Sequence, residues 1–330
     1  ASSFNPFARR ETHSANSLNT YRVLVPLTWA LVVVVGIYHS VHSPDDIKKG
    51  KKIWKQANKH NTPFSQNTTV TGVFWLFGYV YIGVSMLCDI HELTPQCRIF
   101  LLLSQLSYVW HLFSKNNVLV TAAANVATHF ILNNLFLAAW ILLWTRNHFW
   151  GAEIILIAHF INQAVTYWRH RGLPAFVHLP AVAGPYAWTL TALFWNGAVA
   201  VHSHNLPGRI VANIFIWVIL AIGLFDIVLW EDYILGYCLS WLTLCKSCPF
   251  FYHLFEYFAD IHNSALALRQ IAIKIIALQW IFAFVVFGMF LAVSLYISTT
   301  KYTGRDSLFR RVAHPESADR EREPLLNEGV

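Results

Sequence analysis

Two rows of polar side chains stand out from an otherwise apolar sequence. Asn125, His129 and Asn133 recur every four residues inside one apolar run. His159 and Gln163 do the same inside the next, with Asn162 and Thr166 beside them. Residues spaced this way stack on one face of a helix. Imidazoles titrate near neutral pH and can pass protons or bind polar ligands. Polar side chains on an apolar helix point into the bundle or a wet cavity. A short turn at residues 145–148 joins the two runs, so they should be antiparallel neighbours with their polar rows facing. The rows then form a candidate polar cavity for a substrate, proton or ligand. The competing reading is interhelical hydrogen bonding, worth about 0.6 kcal/mol per contact.

Asp226 and Lys274 are two further ionisable residues within apolar runs. A charge there costs about 2.5–3.5 kcal/mol on insertion scales. The two either pair, flank a pathway, or snorkel to an interface. Glu153 lies close to a helix start and is expected to be solvated. No metal site is expected. His202 and His204 lack a supporting carboxylate, and Cys245 and Cys248 form a lone CxxC without the second pair that zinc needs. No phosphate loop, HExxH or GxSxG motif is present, so no cofactor and no catalytic residue is assigned.

The elements that must position these residues are membrane helices. The chain has 330 residues, 56% hydrophobic and only 12% charged. A soluble domain carries roughly 25% charged residues, so lipid is the expected partner of much of this surface. A span takes about 20 apolar residues. The expected fold is an all-α polytopic transmembrane helix bundle of about eight helices, or seven. Its parts are a flexible polar N-terminal segment (1–22), a transmembrane helical domain (23–297) and a disordered charged tail (298–330). The first apolar run, 23–41, is too long for a signal-peptide core, and Pro26 should sit in its first turn. Pro180 and Gly184 mark an expected break or kink. The net charge of +7 is spread over loops rather than gathered on one face, which argues against nucleic-acid binding. The lysine-rich stretch 43–69 is either a short amphipathic helix on anionic headgroups or a solvated loop.

Two segments interrupt the span pattern, 79–98 and 245–265. They hold Cys88, Cys97, Cys245, Cys248 and Met86. Gly78-Tyr79-Val80 is encodable by a string containing GTATGT, and Cys245-Lys246-Ser247 by one containing GTAAGT. Branch-point and acceptor strings fit at Leu93-Thr94, Cys97-Arg98, Ala259-Asp260 and Ser264-Ala265. Both segments are therefore suspected translated introns, and removing each leaves a span of ordinary length. The alternative is a pair of genuine loops or re-entrant segments.

Eight helices place both termini on one side, taken as cytosolic because Arg9, Arg10, Lys115, Arg169, Arg171 and the basic tail share it. The loop holding the glycosylation sequon at Asn67 then faces the lumen. Its lysines break the positive-inside rule, and an odd helix count would repair that at the cost of the sequon. In the tail, Glu321, Leu325 and Leu326 form an acidic dileucine sorting motif. It would engage clathrin-adaptor complexes and favour a vacuolar or endosomal membrane within the endomembrane system.

The runs NPFARR at 5–10, KIWKQANKHNTPF at 52–64, LSQLSYVWHLFS at 103–114 and AVAGPYAWTLTALFWNG at 181–197 resemble a family of fungal multi-pass membrane proteins of unknown function. The resemblance spans most of the chain outside the two inserts. It implies a membrane location and no established activity. The leading functional expectation is a non-enzymatic, transporter-like or ligand-binding protein. The alternative is a structural or adaptor-like membrane protein whose buried polar residues serve helix packing.

Overall fold

Helix α7, Gly184–Ala200, is buried on nearly every side and packs against the helices Phe149–Arg169, Leu206–Trp230 and Tyr233–Leu242. A helix this apolar and buried is stable as an interior element. The computed structural model describes residues 7, 9–46, 50–60, 62, 64–65, 100–201, 206–243 and 277–304. The preceding helices are α1 (Ala15–Val41), α2 (Ile53–Lys59), α3 (Phe100–His111), α4 (Asn117–Thr145), α5 (Phe149–Arg169) and the single turn α6 (Ala175–His178). After α7 come α8 (Leu206–Trp230), α9 (Tyr233–Leu242) and α10 (Ala277–Tyr302). No strand occurs among the described residues. Among the described residues, four helices are long and apolar enough to cross a membrane: Ala15–Val41, Asn117–Thr145, Ile210–Trp230 and Ile281–Tyr302.

Helix α1 begins at Ala15, earlier than the expected Val23, with the Ser14 hydroxyl capping the Ser17 N–H. Pro26 consequently sits inside the helix rather than in its first turn. A proline there removes one backbone hydrogen bond, a loss that packed helices tolerate. The expected break at Pro180 is instead a π-helical turn, Leu179–Ala183, which carries the chain from α6 into α7 without interruption. Its closing bond runs from the Gly184 N–H to the Leu179 carbonyl, one residue longer than an α-helical bond. Pro180 and Pro185 donate no N–H, and the wider turn absorbs the loss.

Side-chain bonds fix the direction of each helix. Arg22 Nε donates to the Leu112 carbonyl at 3.0 Å, setting the start of α1 beside the end of α3. Arg9 Nη1 donates to the Arg171 carbonyl at 3.1 Å, and the Arg171 guanidinium lies 3.0 Å from the centre of the Trp230 ring. Lys301 Nζ donates to the Glu231 carbonyl at 2.6 Å. One end of the bundle therefore gathers residues 7 and 9–14 and the ends of α3, α5, α8 and α10. The opposite end holds the α4–α5 turn and α2.

Helix α2 lies across that opposite end. Gln56 Nε2 donates to Asn147 Oδ1 at 2.5 Å, and the Lys51 N–H to the Thr145 carbonyl at 3.1 Å. Ile53, Gln56 and Ala57 are buried while Lys52, Lys55 and Lys59 are exposed. Of the two alternatives read from the sequence, neither holds as stated: residues 53–59 form a short helix, and its buried face is spent on the bundle rather than on lipid.

Helices α8, α9 and α10 approach closely through small residues. A Cβ added at Gly223 would lie 2.6 Å from the Phe290 ring, and one at Gly236 would meet the Ser294 hydroxyl at 1.8 Å. Close backbone approach of this kind is how helices associate where the solvent is itself apolar.

Candidate functional site: the α4–α5 seam

Asn116 caps α4, its Oδ1 accepting from the Val118 N–H at 2.9 Å. The turn after α4 reverses through Asn147, whose φ of 63° is left-handed, a conformation asparagine tolerates better than most residues. Helix α5 then runs back antiparallel along α4, and the two polar rows meet. All seven side chains are buried.

Their hydrogen bonds define the protonation of each ring. Asn133 Oδ1 sits within 2.6 Å of both His159 Nε2 and Gln163 Nε2. An amide oxygen only accepts, so the His159 proton is on Nε2 and its Nδ1 carries a lone pair. Asn162 Nδ2 donates to the His129 carbonyl at 3.1 Å, which turns Asn162 Oδ1 toward His129 Nδ1 at 2.8 Å. His129 therefore holds its proton on Nδ1, and its Nε2 carries a lone pair. Thr166 closes back onto the Asn162 carbonyl at 2.6 Å. Among the described residues, His129 Nε2, His159 Nδ1 and Gln163 Oε1 are buried without a hydrogen-bond partner. The seam is thus rich in bare acceptors.

Asn125 belongs to a different contact. Its Oδ1 accepts from the Arg10 N–H at 2.8 Å and lies 3.1 Å from His13 Nε2, while its Nδ2 donates to the Arg10 carbonyl at 3.0 Å. This amide clamps residues 9–13 as a strap over the end of the seam. Phe7 packs on His129, ring centroids 5.0 Å apart. Burial pushes the His13 imidazole below its ordinary pKa, against the Asn125 bond and with help from Arg10.

Spacing did not single out His170, which follows α5 and is fully buried with both ring nitrogens bare. Its ring meets His129 edge-on, centroids 5.5 Å apart. The one available signal was its place between Arg169 and Arg171, which reads as a basic stop rather than as a site.

Asp226 joins a second cluster between α5, α7, α8 and α9. Its Oδ1 accepts from Trp168 Nε1 at 3.1 Å and its Oδ2 from the Tyr186 hydroxyl at 2.7 Å. Asp232 caps α9, accepting from the Ile234 and Leu235 N–H groups, and pairs with His178 Nε2 at 2.8 Å. Burial opposes the charge on Asp232, but His178 and the backbone donors outweigh it and hold its pKa below the ordinary carboxylate value. Tyr167 stacks on Tyr186 at 5.0 Å, and its hydroxyl is near Asp232 without reaching hydrogen-bond geometry. Glu153, expected to be solvated, is half-buried and accepts from Asn196 Nδ2 at 2.7 Å. Lys274, Asn67, the two inserts and the tail residues Glu321, Leu325 and Leu326 lie outside the described residues. Among the described residues, no group of three metal-ligating side chains comes together.

No curated protein and no solved structure matches this chain. Its last part, spanning most of α8 and all of α9 and α10, matches the model of a family described as a fungal protein of unknown function (DUF1774), in two stretches, residues 209–259 and 250–326.

Proposed function

We propose that the chain is an eight-pass integral membrane protein that binds a small polar ligand in the α4–α5 seam, in the manner of a transporter. One observation carries this reading. Three buried acceptors between the helices, His129 Nε2, His159 Nδ1 and Gln163 Oε1, have no donor. Each such group costs roughly 1–3 kcal/mol when left unmade, and a ligand that donates hydrogen bonds recovers that cost. Replacing His129 and His159 singly by alanine tests it. Retained folding with loss of complementation in a deletion strain supports a binding site. Loss of folding supports the packing reading, which the direct His129–Asn162 and His159–Asn133 bonds favour.

The strands of evidence for address are separate. The basic residues gathered at the strap end favour a cytosolic orientation for it, and the tail motif at Glu321, Leu325 and Leu326 favours adaptor-mediated delivery to a vacuolar or endosomal membrane. A tagged chain should leave that membrane when Leu325 and Leu326 become alanine. The reading also includes removal of 79–98 and 245–265 as introns. The family match supports this for the second segment, since its two stretches overlap at 250–259, inside it. Transcript reads that all retain both segments would reject it.

A further inference from the structure

At the strap end of the seam, three imidazole nitrogens of two neighbouring residues have no hydrogen-bond partner among the described residues. His170 contributes both of its ring nitrogens and His129 its Nε2. The residues are 0% and 3% exposed, so solvent does not satisfy them from outside. The backbone N–H of His170 is already spent on the Thr166 carbonyl at 3.0 Å. Phe7 covers the His129 ring, and Arg9, anchored on the Arg171 carbonyl, holds the strap in place. Buried polar groups are ordinarily hydrogen-bonded, so these nitrogens have capacity for a further partner.

The surroundings select its chemistry. Arg9, whose Nη1 donates to the carbonyl of Arg171, and Arg169, the last residue of α5, flank His170 with exposed side chains at this end of the seam. Both are cationic, which disfavours a metal ion or an ammonium group. An apolar ligand would leave all three nitrogens bare. An oxyanion can accept from the His170 N–H and from the guanidinium groups, which are the residues best suited to carboxylate and phosphate. The His129 Nε2 lone pair points to one proton more, brought by the ligand or taken from solvent. The resulting imidazolium keeps its Nδ1–H bond to Asn162 and donates its new N–H to the anion, so charge and protons balance.

We propose that His129 and His170, with Arg9 and Arg169, bind a small oxyanion of the phosphate or carboxylate class together with one proton. The inference rests on the reading of the seam as a ligand site and names the ligand class. The same phosphate chemistry is offered by a free ion and by the headgroup of an anionic lipid.

The test uses the full chain, first in neutral detergent with sodium sulfate against sodium chloride at equal ionic strength. Sulfate keeps one charge state across the neutral range. It also stabilises proteins generally by exclusion, so the quantity read is the wild-type shift in Tm minus the shift of His170→Leu. A positive difference is expected, growing with ligand as binding linkage requires. With one proton taken up, affinity should fall about tenfold per pH unit above the pKa of the site. The other charged or titratable groups near the pair are Arg10, His13 and Arg171, and His13→Gln should leave the slope unchanged. In the second arm, nanodiscs of phosphatidylcholine with and without phosphatidic acid replace the salt. A response there alone identifies a headgroup as the source. Should His170→Leu fail to fold, Arg9→Gln provides the comparison, with a several-fold weaker response expected. Equal responses of wild type and variant in both arms overturn the proposal. The seam reading fails separately, through loss of folding in the His159 variant, whatever the anion response.

Discussion

The seam between α4 and α5 and the cluster around Asp226 and Asp232 are built from similar materials and differ in how far they are satisfied. In the acidic cluster both oxygens of Asp226 accept a hydrogen bond and Asp232 serves two backbone donors and His178, while the Tyr167 hydroxyl has no hydrogen-bond partner among the described residues. In the seam, the same side chains that bind across the helices leave a second polar atom bare on His129, His159 and Gln163. A satisfied network makes a unique packing, whereas a half-satisfied one costs more than an apolar core would. The contrast matches the proposal above, with the acidic cluster as architecture and the seam as the place where a ligand binds.

The largest expected effect lies in the acidic cluster. Asp232→Ala removes the α9 cap and the partner of a mostly buried His178, and should cost about 3 kcal/mol in unfolding measurements. The folded pKa of Asp232 is depressed, so its contribution is present above the ordinary carboxylate range and fades as pH falls through the folded value. The gap between wild type and variant should therefore close in acid. Asp226→Leu comes next, at about 2 kcal/mol, because it strands the Trp168 N–H and the Tyr186 hydroxyl. A neutral outcome at either position would remove the contrast.

His159→Leu should cost less, about 1 kcal/mol or below. It loses one bond to Asn133, which Gln163 still serves, and it eliminates a bare nitrogen. The smallest effect belongs to His170→Leu, which should leave stability near neutral pH unchanged or raise it. Burial, then His129, Arg9 and Arg169, push the His170 pKa down to about 4 from an ordinary 6.5. The unfolded chain takes up this proton first as pH drops, so wild-type stability declines between those values. The variant should be flatter over that window, as followed by Tm against pH. A strongly destabilised His170 variant at neutral pH would place the residue with the architectural cluster.

The helical class was legible because apolar runs of span length are hard to hide, and the seam was legible because a period of four marks one helix face. The turn at 145–148 was enough to set His129 near Asn162 and Asn133 near His159. Other features depend on contacts between residues far apart in the chain. Asn125 reads as a seam residue by spacing, yet its partners are Arg10 and His13. His170 lies outside any apolar period, and only the strap and α4 bury it. Pro180 announces a disturbance without saying whether the chain breaks or widens. Glu153 reads as a solvated helix start because nothing near it in sequence points to Asn196.

The widened turn at Leu179–Ala183 has a consequence for insertions and deletions. Each residue of an α-helix advances the azimuth by about 100°. The turn closes one residue later than an α-helical turn, so its five residues cover roughly the rotation that four cover elsewhere. Deleting one of the five would let ordinary winding close over the gap, with Tyr186 still facing Asp226. The same deletion inside α7 would swing everything after it by about 100°, so homologous chains should lose a residue at the widened turn more readily than within the helix that follows.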